Sequence, residues 1–169
     1  MRSIPMKSLE IRYQKISDAK RFVQILSHPD FIYFPVKPKS IEEEKKFLRL
    51  NREKRKNGTE YNFSILLKGE LVGAIGVKID QHRKYIGEIG YFVHRDYWGK
   101  GIASSAVQLV EEFAFNHLKL RRIEIVTLMI NKASQRGAEK CGYNREGIQQ
   151  GKLAFDGKYF DAYIYAKIK

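Results

Sequence analysis

All four prolines of this chain fall at positions 5, 29, 35 and 38, so residues 39–169 contain none. A helix interior or a central strand tolerates proline poorly, because the ring removes an N–H and fixes φ. The last three-quarters of the chain is therefore free to build long, uninterrupted elements, and the apolar pattern says which. "LEIRYQKI" (Leu9–Ile16) reads as a first strand, and Ser17 and Asp18 offer a cap for a helix from Ala19 to Ser27 with Phe22, Val23, Ile25 and Leu26 inward. "HPDFIYFPVKPKS" is a loop with Phe31, Ile32, Tyr33 and Phe34 as apolar members, tucked under a helix or lining a pocket. Ser40 and Glu43 fit a capping box for a second helix over Ile41–Lys56, mostly exposed because Phe47, Leu48 and Leu50 are its few apolar positions.

"YNFSILL" and "LVGAIGVKI" flank "KGE" as a hairpin, and "IGEIGYFV" (Ile86–Val93) adds a third strand. In "IASSAVQLVEEFAFNHL", Ala103, Ala106, Val107, Val110, Phe113 and Ala114 recur at helical spacing. "RRIEIVTLMI" is a strand, "NKASQRGAEKCG" a short helix stopped at Gly142, and two closing strands meet at "DG". The order βαα βββ α β α ββ predicts one α/β (α+β) domain over residues 1–169. It has a mixed, mostly antiparallel sheet of about seven strands, about four helices on its two faces, and one crossover across Ile86–Met129.

Apolar content of 43% and aromatic content of 12% mark a folded chain. No apolar run approaches the roughly 20 residues of a membrane span. The N-terminal residues carry no long apolar stretch of the signal-peptide kind. The single cysteine, Cys141, excludes an internal disulfide and fits a reducing, cytoplasmic setting. The net charge of +13 is spread along the chain rather than gathered in a tail, with "REKRK" at Arg52–Lys56 its densest run. Such an excess is either a solvated face or a surface for polyphosphate, RNA or the ribosome. The four histidines, at 28, 82, 94 and 117, have no metal-ligand spacing, and no metal is expected.

The chemistry concentrates in "HRDYWGKGIASSA", His94–Ala106. A dinucleotide fingerprint fails because Ser104 stands at the third glycine place and no acidic residue follows about 20 positions on. A P-loop fails because position 94 is His and Lys100 is followed by Gly101. What remains is a strand, a Gly-Lys-Gly loop and a helix. Glycines let backbone N–H groups approach an anion, the helix N-terminus adds partial positive charge, and Lys100 adds a full one. A plain turn into the helix is the competing reading.

"WGKGIA" is similar to the pyrophosphate-binding motif of the GCN5-related N-acetyltransferases, Gln/Arg-x-x-Gly-x-Gly/Ala, with Trp98 in the first place. That departure, together with "EIGYFV", "INKASQRGAEKCGYNREG" and "GKYFDAYIYAKI" in order, resembles the RimJ/RimL-type branch, which acetylates ribosomal-protein N-termini. The resemblance covers nearly the whole chain. It implies acetyl-CoA as donor, an amine as acceptor and direct attack in a ternary complex. It places the donor against Phe92, Val93, Trp98, Gly99, Lys100, Gly101, Ile102, Ala103, Ser104 and Asn131. A backbone N–H near Tyr91 or Phe92 then stabilises the oxyanion.

Glu88 is the first candidate base, against the plain reading of a strand-end carboxylate meeting a lysine; His94 is the alternative. The family's usual tyrosine acid falls on Ala138, and the branch's serine on Ser134, which takes its place as acid. Asn131 is either a contact to the pantetheine amide, a helix cap, or both, and Cys141 reads as a structural thiol. An α-amine, with pKa ~7.7–8.0, needs less help from a base than a lysine at ~10.4. A protein N-terminus, such as that of a ribosomal protein, is favoured as acceptor over a polyamine, amino acid or antibiotic; the +13 charge opposes a polycationic acceptor and suits a ribosome-associated one. A non-catalytic acyl-CoA-binding module and a basic RNA-binding protein are the other classes, and a homodimer is left open.

Overall fold

The computed structural model describes residues 8–32, 34 and 37–169. The expectations for the first seven residues, and for Tyr33 in the aromatic loop, lie outside the described residues. The elements are β1 (Leu9–Tyr13), α1 (Ala19–Leu26), α2 (Ile41–Lys56), β2 (Glu60–Leu67), β3 (Glu70–Ile79) and β4 (Ile86–Val93). They continue as α3 (Ile102–Asn116), β5 (Arg122–Leu128), α4 (Lys132–Lys140), β6 (Asn144–Phe155) and β7 (Lys158–Ile168). One seven-stranded sheet runs β1-β2-β3-β4-β5-β7-β6. Every neighbouring pair is antiparallel except β4 and β5, which are joined through α3. No helix of the described residues is long and apolar enough to cross a membrane.

Two layers of helix cover the sheet. On one face α3 buries Ile102, Ala106, Val107, Val110 and Ala114 against Ile75, Val77, Ile89, Ile123 and Ile125, and Ala138 of α4 joins the same cluster. Each buried valine or isoleucine of this cluster contributes about 1.5–3 kcal/mol relative to exposure. On the other face Ala19 and Phe22 of α1 and Leu48 of α2 pack on Ala74 and Phe92. The α2 helix is mostly exposed, as its sparse apolar pattern predicts: Leu48 and Asn51 are its buried residues, while Phe47 and Leu50 face water.

Three local expectations are corrected. β1 ends at Tyr13 rather than Ile16, because Ile16–Asp18 forms a 3-10 turn. Asp18 makes no side-chain cap; it is buried and takes both Arg12 guanidinium nitrogens at 2.8 Å. Ser40 does cap α2 by accepting from Glu43 N, but the Glu43 carboxylate reaches the amide of Lys39, one residue short of a capping box. At "DG", Asp156 (φ 51°) and Gly157 (φ 70°) both adopt the left-handed region that a two-residue type I′ hairpin demands.

Candidate functional site

The site begins where the sheet parts. The parallel ladder between β4 and β5 covers Ile86↔Arg122, Gly87↔Ile123 and Glu88↔Glu124, and stops. Beyond it β4 stays paired to β3 as far as Val93, and β5 stays paired to β7 as far as Leu128. Each strand follows its own partner, and a wedge opens between them. His94 N donates to Val72 O at 2.7 Å and Asp80 N to Ile86 O at 3.0 Å, so even-numbered residues of β4 turn their backbone groups toward β3. Amides alternate along a strand, so Tyr91 and Val93 turn theirs into the wedge. Trp98 Nε1 donates to the Val93 carbonyl at 2.7 Å. Of the strand residues expected at the donor, Val93 has its backbone on this edge. Phe92 does not: its amide faces β3 and its ring packs against Phe22 and Phe34.

The wedge runs into the glycine loop. Gly99 (φ 72°) and Gly101 (φ 79°) are left-handed, and a Cβ on Gly101 meets nothing within 4 Å, so backbone conformation rather than space requires glycine there. Gly101 caps α3 with no side chain, and the first helical bond is Ser105 N to Gly101 O at 3.0 Å. The amides of Ile102, Ala103 and Ser104 therefore lack helical partners, and the macrodipole adds to them. Ile102 sends its side chain into the core, Ala103 and Ser104 are half-buried, and Lys100 is exposed with its Nζ 5.3 Å from the Tyr97 ring. Trp98 does more than flank the glycines. Its indole ties the loop to β4 and its ring meets Phe31 edge-on at 5.5 Å, while Arg95 pairs with Asp30 at 2.7 Å.

The far wall is the start of α4. Asn131 Oδ1 accepts from Ser134 N at 3.1 Å, so Asn131 caps this helix. Ser134 Oγ lies 3.2 Å from Tyr91 Oη, across the wedge. Burial pushes the Tyr91 phenol up, more than the Ser134 contact draws it down. The side chain of Tyr91 escapes motif reasoning; the available signal is a hydroxyl in the core-facing register of "EIGYFV", between Ile89 and Val93. Cys141 is buried, with its thiol pushed up by burial and its Sγ 3.5 Å from Ser104 O.

Glu88 stands on the opposite face, in the last register of the β4–β5 ladder beside Glu124 and opposite Lys78. By surface area its side chain is exposed, yet enough chain surrounds it that burial raises its carboxyl; Glu124 adds to this, while Lys152 and Lys78 oppose it. Next on that face Gly90 has no side chain and open space above it, and then comes the aromatic wall of Phe92, Phe22, Phe31 and Phe34. Glu88 and the Tyr91–Ser134 pair thus flank β4 from opposite sides. His94 spends its Nδ1 accepting from Asp96 N at 3.2 Å, which caps a turn. A cavity of about 310 Å³ opens at the end of β5, between Leu128–Ile130 and Tyr159–Asp161.

A splayed parallel pair feeding a glycine loop and a helix N-terminus is a site for a long ligand with an anionic end. The comparisons agree with the sequence motifs. Residues 8–144 match the family model of the acetyltransferase (GNAT) domain. A probable N-acetyltransferase of Bacillus subtilis, YjcK, is 32% identical over 130 residues, spanning 75% of this chain and 72% of that protein. The ribosomal-protein-serine acetyltransferase of Escherichia coli is 28% identical over 157 residues, spanning 92% and 84%. In three dimensions Mycobacterium smegmatis RimJ, solved in complex with a CoA-disulfide, superimposes with a TM-score of 0.88 at 23% identity over 98% of this chain and 84% of that one. The chain therefore belongs to the GNAT acetyltransferase family, among relatives and structural neighbours of the RimJ/RimL kind, and is an N-acetyltransferase.

Proposed function

We propose that residues 1–169 work as one acetyl-CoA-dependent domain that acetylates a protein N-terminal α-amine by direct attack. The observation that carries the donor half is the free edge of β4 at Tyr91 and Val93, leading into the uncapped amides of Ile102–Ser104. Under this reading Gly99–Ser104 hold the pyrophosphate of the donor and Lys100 lies beside its phosphates. The edge of β4 pairs with the pantetheine arm, and Asn131 offers that arm its amide nitrogen while its oxygen caps α4. The structural neighbour solved with a CoA-disulfide supports the donor class. The pairing of β7 along all of β5 supports a single unit extending past the matched region.

The chemistry follows from the two faces of β4. The amine nitrogen adds to the thioester carbonyl carbon, and the Tyr91 N–H donates to the oxygen as it gains charge. The proton leaving nitrogen goes to Glu88, directly or through water; a carboxyl raised by burial is a better base for that step. The C–S bond breaks, the sulfur keeps the electron pair as a thiolate, and the Ser134 hydroxyl, as the acid of the site, donates a hydrogen bond to it; the proton that completes the free thiol comes from solvent. The relative that acetylates ribosomal-protein serine supports an α-amine acceptor, as does the lower pKa of such amines, ~7.7–8.0 against ~10.4 for lysine.

A thiol-release assay with acetyl-CoA against N-terminal peptides, polyamines, amino acids and aminoglycosides tests the reading. Turnover is expected with N-terminal peptides; turnover confined to a small amine overturns the acceptor assignment. In parallel, Gly101→Glu puts a negative side chain at a left-handed position of the anion loop. It should abolish acetyl-CoA binding by calorimetry, and retained affinity would sink the cradle.

A further inference from the structure

We propose that Tyr91 is a positioning residue that orients the Ser134 hydroxyl as a hydrogen-bond donor toward the departing sulfur. The inference rests on the donor reading above and assigns a task to a side chain outside it.

The two residues approach from opposite walls of the wedge, Tyr91 from β4 and Ser134 from the first turn of α4, and meet at 3.2 Å. Ser134 is fixed at its other end by the bond from its amide to Asn131. One turn along α4, Gly137 leaves room for the phenol: a Cβ there would lie 3.2 Å from Tyr91 Oη. The contact is thus held by both elements and by an absent side chain.

A serine hydroxyl has one proton and two lone pairs. In the first turn of a helix its proton can turn back to a backbone carbonyl at the helix start, such as that of Asn131 three residues earlier, where it serves no substrate. A tyrosine that stays protonated donates into a serine lone pair, which turns the serine proton away from Tyr91 Oη and leaves it for an acceptor in the wedge. Burial holds the Tyr91 phenol in that protonated form. Cys141, at the end of α4, is held neutral by burial, and its ionisation would favour the same protonated form of Tyr91. Glu88 faces the other side of β4, and among the described residues no charged side chain bonds to Tyr91 or Ser134. A hydroxyl aimed in this way favours sulfur as thiolate, the form in which it leaves the acetyl group.

The test needs no acceptor. CoA and acetyl-CoA are titrated calorimetrically into the full chain from about pH 6.5 to 9.5, a range that brackets a free thiol near 8.5. In the unaltered protein the ratio of CoA to acetyl-CoA affinity should climb roughly tenfold over that range, as a one-unit fall in the bound thiol's pKa requires. Tyr91→Phe and Ser134→Ala should each cut the climb below about threefold, and the double variant should do no more than either alone, because they act as one unit. A full climb in Tyr91→Phe beside a lost one in Ser134→Ala overturns the role of Tyr91. So does an equal weakening of CoA and acetyl-CoA at every pH, the mark of a purely structural contact. A flat ratio in the unaltered protein overturns the inference but leaves the donor reading standing. Binding of neither ligand overturns the donor reading itself.

Discussion

Asp18 stands where a helix cap is expected and instead pairs, buried, with a half-buried Arg12. Its carboxylate accepts from Arg12 twice, from Ser64 Oγ at 2.7 Å and from Lys15 N at 2.9 Å. Burial alone would raise this carboxyl; the bonds from Arg12, Lys15 and Ser64 outweigh it, so the group lies below its ordinary range. A depressed carboxyl contributes stability above its unfolded pKa, near 3.9, and loses it as pH falls through the lower folded value. Asp18→Ala should therefore cost about 2–3 kcal/mol at pH 7 in denaturant unfolding, since it strands Arg12 and Ser64. The deficit should shrink below about pH 4; an undiminished deficit at pH 3 would refute the ion-pair account. Glu88 shows the same limit of reading from the other side. Its position as a lone charge in "YIGEIGYFV" singles it out, but only the register beside Glu124 and the surrounding chain raise its carboxyl.

At the scale of elements the pattern was legible. Helix and strand order, the exposed character of α2, the cap at Ser40 and the turn at "DG" all follow from spacing and turn chemistry, which act over a few residues. Some glycines do not reveal their reasons in this way. Gly73 and Gly90 look alike in strand sequences, yet a Cβ on Gly73 would lie 2.3 Å from the Phe92 carbonyl oxygen, while one on Gly90 meets nothing within 4 Å. Gly73→Ala should lose about 2–3 kcal/mol by forcing β3 and β4 apart. Gly90→Ala should stay within about 0.5 kcal/mol, as a change that touches nothing does. Comparable losses from the two variants in thermal or denaturant unfolding would refute this distinction.

On the scale of the whole molecule the sheet is two sheets sharing three registers. β1–β4 and β5–β7–β6 are each antiparallel, with register shifts at Ile65/Leu66 in the first set and at Arg145/Gly147 and Gln149/Leu153 in the second, and the parallel seam between them ends at Glu88↔Glu124. The free amides on the open part of that seam are Tyr91 and Val93. Hydrogen exchange resolved by residue should find them faster than Phe92, whose amide bonds to β3, and acetyl-CoA should slow them selectively. Equal protection of all three in the free protein would mean that the seam is closed. The glycine loop, the cap at Asn131 and the order of elements were set by the sequence, because left-handed glycines, caps and periodicity are properties of neighbours along the chain. Where β4 and β5 part, which amides face the parting, and the meeting of Tyr91 with Ser134, 43 positions apart, were decided by the tertiary structure. Each strand can follow only one well-matched partner, and that competition is settled by residues far away in sequence.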